Sequence, residues 1–327
     1  MLATRFKIFD MISDRKIHRS LIPRLGGVAI FLSFTVSATT LFLFREIKIN
    51  FSMITCMEAL FLIFLLGILD DLKGLSASKK IPIQVYCALL IYFSGYRIET
   101  IILPFWPPFS LGMIAPFFTV LWIVGLSNAI NLVDGLDGLA AGISAIGMGM
   151  IALFSALLGN QELLILSLML LGAIFGFLLF NFYPAKIFMG DSGSLFIGFM
   201  GAIFSIRLVN ESGVPFFVPV IIFLLPITET LFSIFRRFVQ GQLLFSADLD
   251  HFHHRLIQRG LTHRKSVLLL YGISVLLGIT AILMFYGGGL SHFFGVLVLL
   301  VGGVYGIFNL GYGTLIQITL KRLNKRF

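Results

Sequence analysis

Charge is what this chain has least of. Of its 327 residues only 12% are Asp, Glu, Lys or Arg, against about 25% in a soluble domain. Cysteine is nearly missing as well. Cys56 and Cys87 sit apart in apolar runs, which excludes a disulfide framework and a thiolate metal site. No loop is long enough for a soluble domain; the longest, 236–265, has 30 residues. No apolar run precedes Leu25, so no cleavable leader is expected. Nothing has the pattern of a nucleic-acid module, and no nucleic-acid partner is expected. What is abundant is apolar: 58% hydrophobic residues, 36 of them Phe, with a mean hydropathy of +1.01. A disordered chain, a coiled coil and an ordinary soluble enzyme are excluded. The chain reads as an all-α polytopic membrane protein, with residues 1–327 forming one integral-membrane domain.

A membrane-crossing helix needs about 20 mostly apolar residues. Ten windows qualify: Leu25–Phe44, Phe51–Leu69, Ile81–Gly95, Met113–Asn131, Gly138–Leu158, Leu163–Phe182, Ser192–Ile206, Val214–Phe235, Ser266–Tyr286 and Leu290–Ile318. The third and seventh are short and the last is long. Ten crossings put both termini on one side. Lys and Arg then divide twenty to four in favour of that side, which the positive-inside rule makes cytoplasmic. Residues 1–24 and the 236–265 loop lie there. All nine Asp fall on the same face, and the other holds Glu46, Glu99, Glu162 and Glu211. Carboxylate chemistry is therefore expected at the inner membrane boundary. The net charge of +9 favours anionic lipid headgroups and phosphorylated ligands.

Four stretches carry chemistry. Gly67-Ile-Leu-Asp70-Asp71-Leu-Lys73 ends the second window with two adjacent carboxylates, followed by Lys79, Lys80 and Gln84. One polar residue would suffice to stop a span, and acids at a helix C-terminus oppose its dipole. A pair of them points to a divalent cation or a phosphate site. In the second stretch Asn128, Asn131, Asp134 and Asp137 recur every three residues. That spacing puts them on one side of a helical turn, an oxygen set suited to a hard cation such as Mg²⁺. The third runs from Asn181 through Lys186 to Gly190-Asp191-Ser192-Gly193. Asp191 opens the seventh window, where backbone N–H groups are free. Asp191 suits a metal ligand or a phosphate neighbour there; the alternative is simple N-capping by Asp191 or Ser192. The fourth is Asp248-Leu-Asp250-His251-Phe252-His253-His254-Arg255-Leu256. Three His without a Cys make a weak zinc signal; contact with phosphate or sugar fits better. Pro226 and Glu229 lie inside the eighth window. The pair suggests a bent helix opening a groove for a lipid tail, against a Glu that merely snorkels to the boundary. Tyr96 to Gly112, with Pro104, Pro107 and Pro108, reads as a turn-rich hairpin.

Taken together, the blocks GILDDLKGLSASKKIPIQ, NAINLVDGLDGLAAG, NFYPAKIFMGDSGSLFIGF and DHFHHRL, preceded by DRKIHRSLIPRLGG, resemble the polyprenyl-phosphate N-acetylhexosamine-1-phosphate transferases. The resemblance spans essentially the whole chain. It implies transfer of a sugar-1-phosphate, GlcNAc-1-phosphate by the His-Phe-His-His-Arg-Leu form, from a UDP-aminosugar to polyprenyl phosphate in the bacterial inner membrane. UMP is released, and the product starts a cell-envelope polysaccharide. It implies Mg²⁺, with Mn²⁺ as a substitute, held by Asn131 and Asp191, with Asp134 next. Asp70, Asp71, Asp134 and Asp137 become catalytic, and Asn128, Lys186, His251, His253, His254 and Arg255 bind substrate. A homodimer is compatible with it. The family also has a further span before the first block, whereas the thirteen residues before Asp14, with Arg5, Lys7 and Asp10, are too few to cross a bilayer.

Three alternatives compete. The peptidoglycan-branch phospho-N-acetylmuramoyl-pentapeptide transferases resemble this chain but carry three consecutive His at the fourth block. The CDP-alcohol phosphatidyltransferases need an Arg soon after Asp-Gly, and after Asp134-Gly135 none occurs before Arg207. An ion-coupled transporter would place acids near the bilayer midplane between repeats, not at one face.

Overall fold

The structure is a computed structural model that describes residues 9–10, 22–44, 51–241 and 251–309. The basic block 14–21, Arg45, Glu46, Lys48, Asp248, Asp250 and the chain from 310 onward lie outside the described residues. Twelve helices run through the described residues: α1 (Gly26–Phe44), α2 (Phe51–Lys73), α3 (Ala77–Phe93), α4 (Ala115–Val133), α5 (Leu139–Leu157), α6 (Gln161–Asn181), α7 (Gly190–Ser212), α8 (Phe217–Ile222), α9 (Leu224–Gln240), α10 (Phe252–Gln258), α11 (His263–Tyr286) and α12 (Gly288–Asn309). Seven of the described helices are long and apolar enough to cross a membrane. Two short antiparallel ladders accompany them. Strand β1 (Phe9–Asp10) pairs with β2 (Ile22–Pro23), and β3 (Thr100–Ile101) with β4 (Phe109–Ser110). The second is the hairpin expected between Tyr96 and Gly112.

α7 is the spine. Almost its whole length is buried, while the helices around it show apolar side chains such as Leu43, Phe61, Phe117 and Leu179 on their outer sides. Its sequence explains the position. Small residues at 190, 192–194, 198 and 201 let other helices approach its backbone, the close packing that membrane helices rely on. A Cβ on Gly27 of α1 would overlap the backbone of Gly193, and one on Gly67 of α2 would overlap Ser192 Cα. A Cβ on Gly198 would lie 2.7 Å from Ser127 Cα of α4. Ser127 Oγ in turn donates to the Leu195 carbonyl at 2.8 Å. Helices α1, α2 and α4 thus fix their ends against one shared axis.

The third window is a 17-residue helix that starts earlier, at Ala77. The eighth is not one helix. It breaks at Phe223 between α8 and α9, because Pro226 has no N–H and its ring collides with the carbonyl four residues back, at Ile222. α9 is built inside out. Glu229, Ser233, Arg236 and Arg237 are buried, while Leu231, Ile234, Phe235 and Phe238 are exposed.

Candidate active site

The site forms where α2 and α4 end and α3 and α7 begin. Its first link is Asp71. Its carboxylate crosses from α2 to the start of α7 and accepts from Asp191 N at 2.8 Å and Ser192 N at 3.0 Å. These are two of the donors that every helix start leaves unsatisfied. Gly190 has φ +70°, and a Cβ there would lie 2.6 Å from the Asp71 carboxylate. Glycine is required so that the cap can come this close. The anion seat expected at the start of α7 is therefore filled by the protein itself, and neither Asp191 nor Ser192 is the cap.

Asp70 does a second job. Its Oδ1 accepts from Leu75 N at 2.6 Å, and its Oδ2 pairs with Lys80 of α3. Lys80 Nζ also reaches Asp191 Oδ2 at 3.2 Å. One ammonium thus holds two carboxylates from different helices face to face. Asn131 comes from α4: its Nδ2 donates to Ser194 Oγ at 2.9 Å, and its side chain lies against Asp191.

Asp134, just past the end of α4, completes the group. Burial, then the nearby Asp191 and Asp71 carboxylates, push its carboxyl up to about 7, and Arg24 offsets part of this. Asp134 thus stands among carboxylates, with Arg24 as a cation beside it. Among the described residues no three His, Cys, Asp or Glu side chains converge on one point. Asp191 beside Asn131 would offer one carboxylate and one amide oxygen, which suits Mg²⁺, an ion that takes one or two carboxylates and keeps several waters. Asp191 with Asn131, and Asp134 next to them, are the oxygens that could hold it.

The other residues of the second and third blocks are knit into the surrounding scaffold. Asn128 forms a reciprocal amide pair with the fully buried Gln84, at 2.7 and 3.3 Å, and donates to the Val124 carbonyl at 2.8 Å. Asp137 Oδ2 accepts from Ala185 N at 2.9 Å. Asn181 accepts from Gly138 N at 3.0 Å and donates to the Ile187 carbonyl at 2.9 Å. Asp137 and Asn181 together pin the loop 182–189 against the start of α5. The loop is then stitched to α1 through Gly26 N to Phe188 O and Gly27 N to Met189 O, each 2.9 Å. Lys186 projects from this loop, exposed, at a groove of about 580 Å³ between α1 and α6 that Ala29, Ser33, Gly172 and Gly176 also line.

The fourth block reaches the same region from the far end of the sequence. A Cβ on Gly135 would collide with the His253 ring, so the imidazole lies directly on the Asp134-Gly135 turn. His253 and His254 centroids are 4.3 Å apart, and His251 stacks on His253 at 5.5 Å. Burial, then His254, His251 and His263, hold the His253 imidazole well below its ordinary range, so it stays neutral at pH 7. The unfolded chain binds that proton near pH 6.5 while the folded one refuses it. This part of the stability is complete above about pH 6.5 and falls as the pH drops below it. Thermal melts in detergent between pH 7.5 and 5 are expected to fall, and to fall less steeply for His253→Asn. Equal slopes for the two proteins would show that His253 does not set this dependence.

Three contributors have partners that the sequence does not show. Glu229 neither snorkels to the boundary nor opens onto a groove: it is buried, with both oxygens engaged at the His block. Gln84 carried no sign of its partner 44 residues away. Tyr271 of α11 donates its hydroxyl to the Gly138 carbonyl and fills the space left by Gly142. The glycines of the second block were the only trace of it.

Fold and site together define an all-helical polytopic membrane protein whose carboxylates from three helices gather at one helix boundary. Residues 53–209 match the model of Glycosyl transferase family 4. The chain is 42% identical over 286 residues to a Bacillus subtilis (strain 168) protein named "Probable undecaprenyl-phosphate N-acetylglucosaminyl 1-phosphate transferase", covering 86% of this chain and 79% of that one. It is 34% identical over 302 residues to the decaprenyl-phosphate N-acetylglucosaminephosphotransferase of Mycolicibacterium smegmatis, covering 83% and 74%. With a phospho-N-acetylmuramoyl-pentapeptide-transferase of Bacillus licheniformis it shares 32% over 250 residues, covering 72% and 75%. The chain belongs to glycosyl transferase family 4.

Proposed function

We propose that this protein transfers GlcNAc-1-phosphate from UDP-GlcNAc to polyprenyl phosphate, undecaprenyl phosphate in a bacterial inner membrane, and releases UMP. The observation that carries the reading is the gathering of Asp70, Asp71, Asp134 and Asp191 at one helix boundary, where Lys80 bridges two of them. The relatives' names support the substrates. The physics of the reaction fits the place: one substrate is anchored in lipid, the other arrives from water, and both are anions. An acceptor phosphate oxygen attacks the sugar-bearing phosphorus, and the bond to the bridging oxygen breaks toward UMP. The acceptor's second pKa is near ~6, so it is largely dianionic at neutral pH and no strong base is needed. Bound at Asp191 and Asn131, Mg²⁺ would spread the charge of the diphosphate and of the departing UMP.

The chain's own residues then divide the work. Asp71 fixes the start of α7 and Lys80 sets the spacing of Asp70 and Asp191. The His block lies over the Asp134 turn, where it can meet the sugar and diphosphate. Purified protein, supplied with undecaprenyl phosphate and UDP-GlcNAc, UDP-GalNAc or UDP-MurNAc-pentapeptide, is expected to release UMP with the first. Omitting the lipid or adding EDTA should abolish release. Full activity in EDTA would remove the metal; turnover without lipid would indicate a hydrolase. Preference for the pentapeptide donor would move the protein to the peptidoglycan reaction.

The twenty-to-four division of basic residues supports a cytoplasmic active site. Cysteines placed at Ser13 and Asn160 in a variant free of Cys56 and Cys87 should label from opposite sides of sealed cells, with Asn160 outside. Outside label at position 13 would overturn this orientation.

A further inference from the structure

Glu229 stands on α9, in the stretch whose sequence suggested a lipid groove, yet it is only 4% exposed. Among the described residues its hydrogen bonds go to one segment, 22 and 23 residues further along the chain. Oε1 accepts from His251 Nδ1 at 2.9 Å and from Phe252 N at 2.9 Å, and Oε2 lies 3.2 Å from the same backbone nitrogen. Phe252 is the first residue of α10, so the carboxylate supplies the cap that this short helix lacks within its own sequence. We propose that Glu229 is a positioning residue: it clamps the His block by capping α10 and by fixing which ring nitrogen of His251 is offered to the substrate. This rests on the transferase reading above.

The chemistry of the contact is one-directional. A carboxylate can only accept, so His251 Nδ1 must carry a proton and Nε2 is the ring atom left for a ligand. An imidazole held by a carboxylate in this way is restricted in tautomer and in ring rotation, as metal-site and triad histidines are. The restriction spreads, because His253 stacks on His251 with ring planes 16° apart and rests on the Asp134-Gly135 turn. Burial makes the clamp strict. A buried carboxylate with its partners removed would be strongly destabilising, so the His block and α9 hold each other in place. The break at Phe223 is what makes the meeting possible, since it frees α9 to run in its own direction from α8.

The test is a double-mutant cycle on UMP release. Glu229→Gln keeps an oxygen for Phe252 N and the shape of the side chain, but it can also donate, so the tautomer of His251 is no longer dictated. Its kcat/KM for UDP-GlcNAc should fall about tenfold with a near-normal melting temperature. In a His251→Ala background the same change should cost less than about twofold, since Glu229 acts through that ring. A full tenfold loss in both backgrounds, or no loss in the wild-type background, would overturn the proposal. Nitrogen-15 shifts of His251, read by solid-state NMR on reconstituted protein, give a measure independent of turnover. Wild type should show a protonated Nδ1, and Glu229→Gln a mixture of tautomers. If wild type released no UMP at all, the transferase reading would fail, while a dictated Nδ1 proton would still uphold the clamp and a mixed one would refute it.

Discussion

Asp191→Asn is expected to lower kcat by a factor of about 10²–10⁴, or roughly 3–5 kcal/mol of transition-state stabilisation, with little change in the melting temperature. The reason lies in how the residue is held. Asp191 N is occupied by the Asp71 cap and its Oδ2 by Lys80 at 3.2 Å, so an amide of the same shape keeps the backbone link and disturbs only the charge. In the proposed site, losing this carboxylate would weaken the hold on the Mg²⁺ that would neutralise the departing UMP. Raising Mg²⁺ should restore part of the rate if the defect is in metal affinity. His253→Ala should behave differently. Its KM for the UDP-sugar should rise at least as much as kcat falls, and added Mg²⁺ should not help. Steady-state kinetics of both variants across a Mg²⁺ titration separates them. A near-normal kcat in Asp191→Asn would mean that the metal ligand lies elsewhere.

The second large effect is expected far from any charged atom. Gly67→Ala adds one methyl group where α2 meets α7, at a point where a Cβ would overlap Ser192 Cα and sit 2.6 Å from Ser192 N. These neighbours, with the Asp191 carbonyl, are backbone, which cannot swing aside as a flexible side chain could. Overpacking of this kind typically costs about 1–3 kcal/mol. Here it also pushes α2 away from the start of α7, which pulls Asp71 off Asp191 N and Ser192 N. Activity should drop at least tenfold and the melting temperature should fall. Gly125→Ala is the matched control. It lies in the interior of α4 with nothing within 4 Å of the added Cβ, so it should be neutral, or stabilising by up to about 1 kcal/mol through helix propensity. Equal behaviour of the two variants in melts and in UMP release would refute the role given to the close contact.

Much of this organisation was legible in the amino-acid sequence, and the rest was hidden for definable reasons. Local pattern carries helix existence, so most windows correspond to helices and the 96–112 hairpin is present. The bend expected at Pro226 in the eighth window is present, but hydropathy is blind to which way the half after it faces. Val214–Phe235 is mostly apolar, yet Pro226 divides it, and the half after the break buries its polar side, Glu229 and Ser233 included. For the site, the three-residue spacing of Asn128, Asn131, Asp134 and Asp137 suggests one shared face. It could not show that these four have different tasks. Asn128 is tied to Gln84, Asp137 to the 182–189 loop and Asn131 to α7, while Asp134 stays among carboxylates. Those assignments depend on partners 44 to 63 residues away. The cap on α7 was unreadable for the same cause. A local rule looks for it at Asp191 or Ser192, whereas it comes from Asp71, 120 residues earlier.

The inverted helix α9 makes the surrounding lipid a structural component. With Leu231, Phe235 and Phe238 facing outward and Glu229, Ser233 and Arg236 facing inward, hydrocarbon has to press on one flank to keep the other turned toward the His block. In contact with water the outer stripe would be driven to roll inward and would carry Glu229 away from His251. Enclosed α7 would feel none of this. Extraction into a thin or short-chained detergent should therefore silence the protein by loosening a single helix while the carboxylate cluster stays assembled. Returning it to a bilayer should restore the function without any refolding of the bundle.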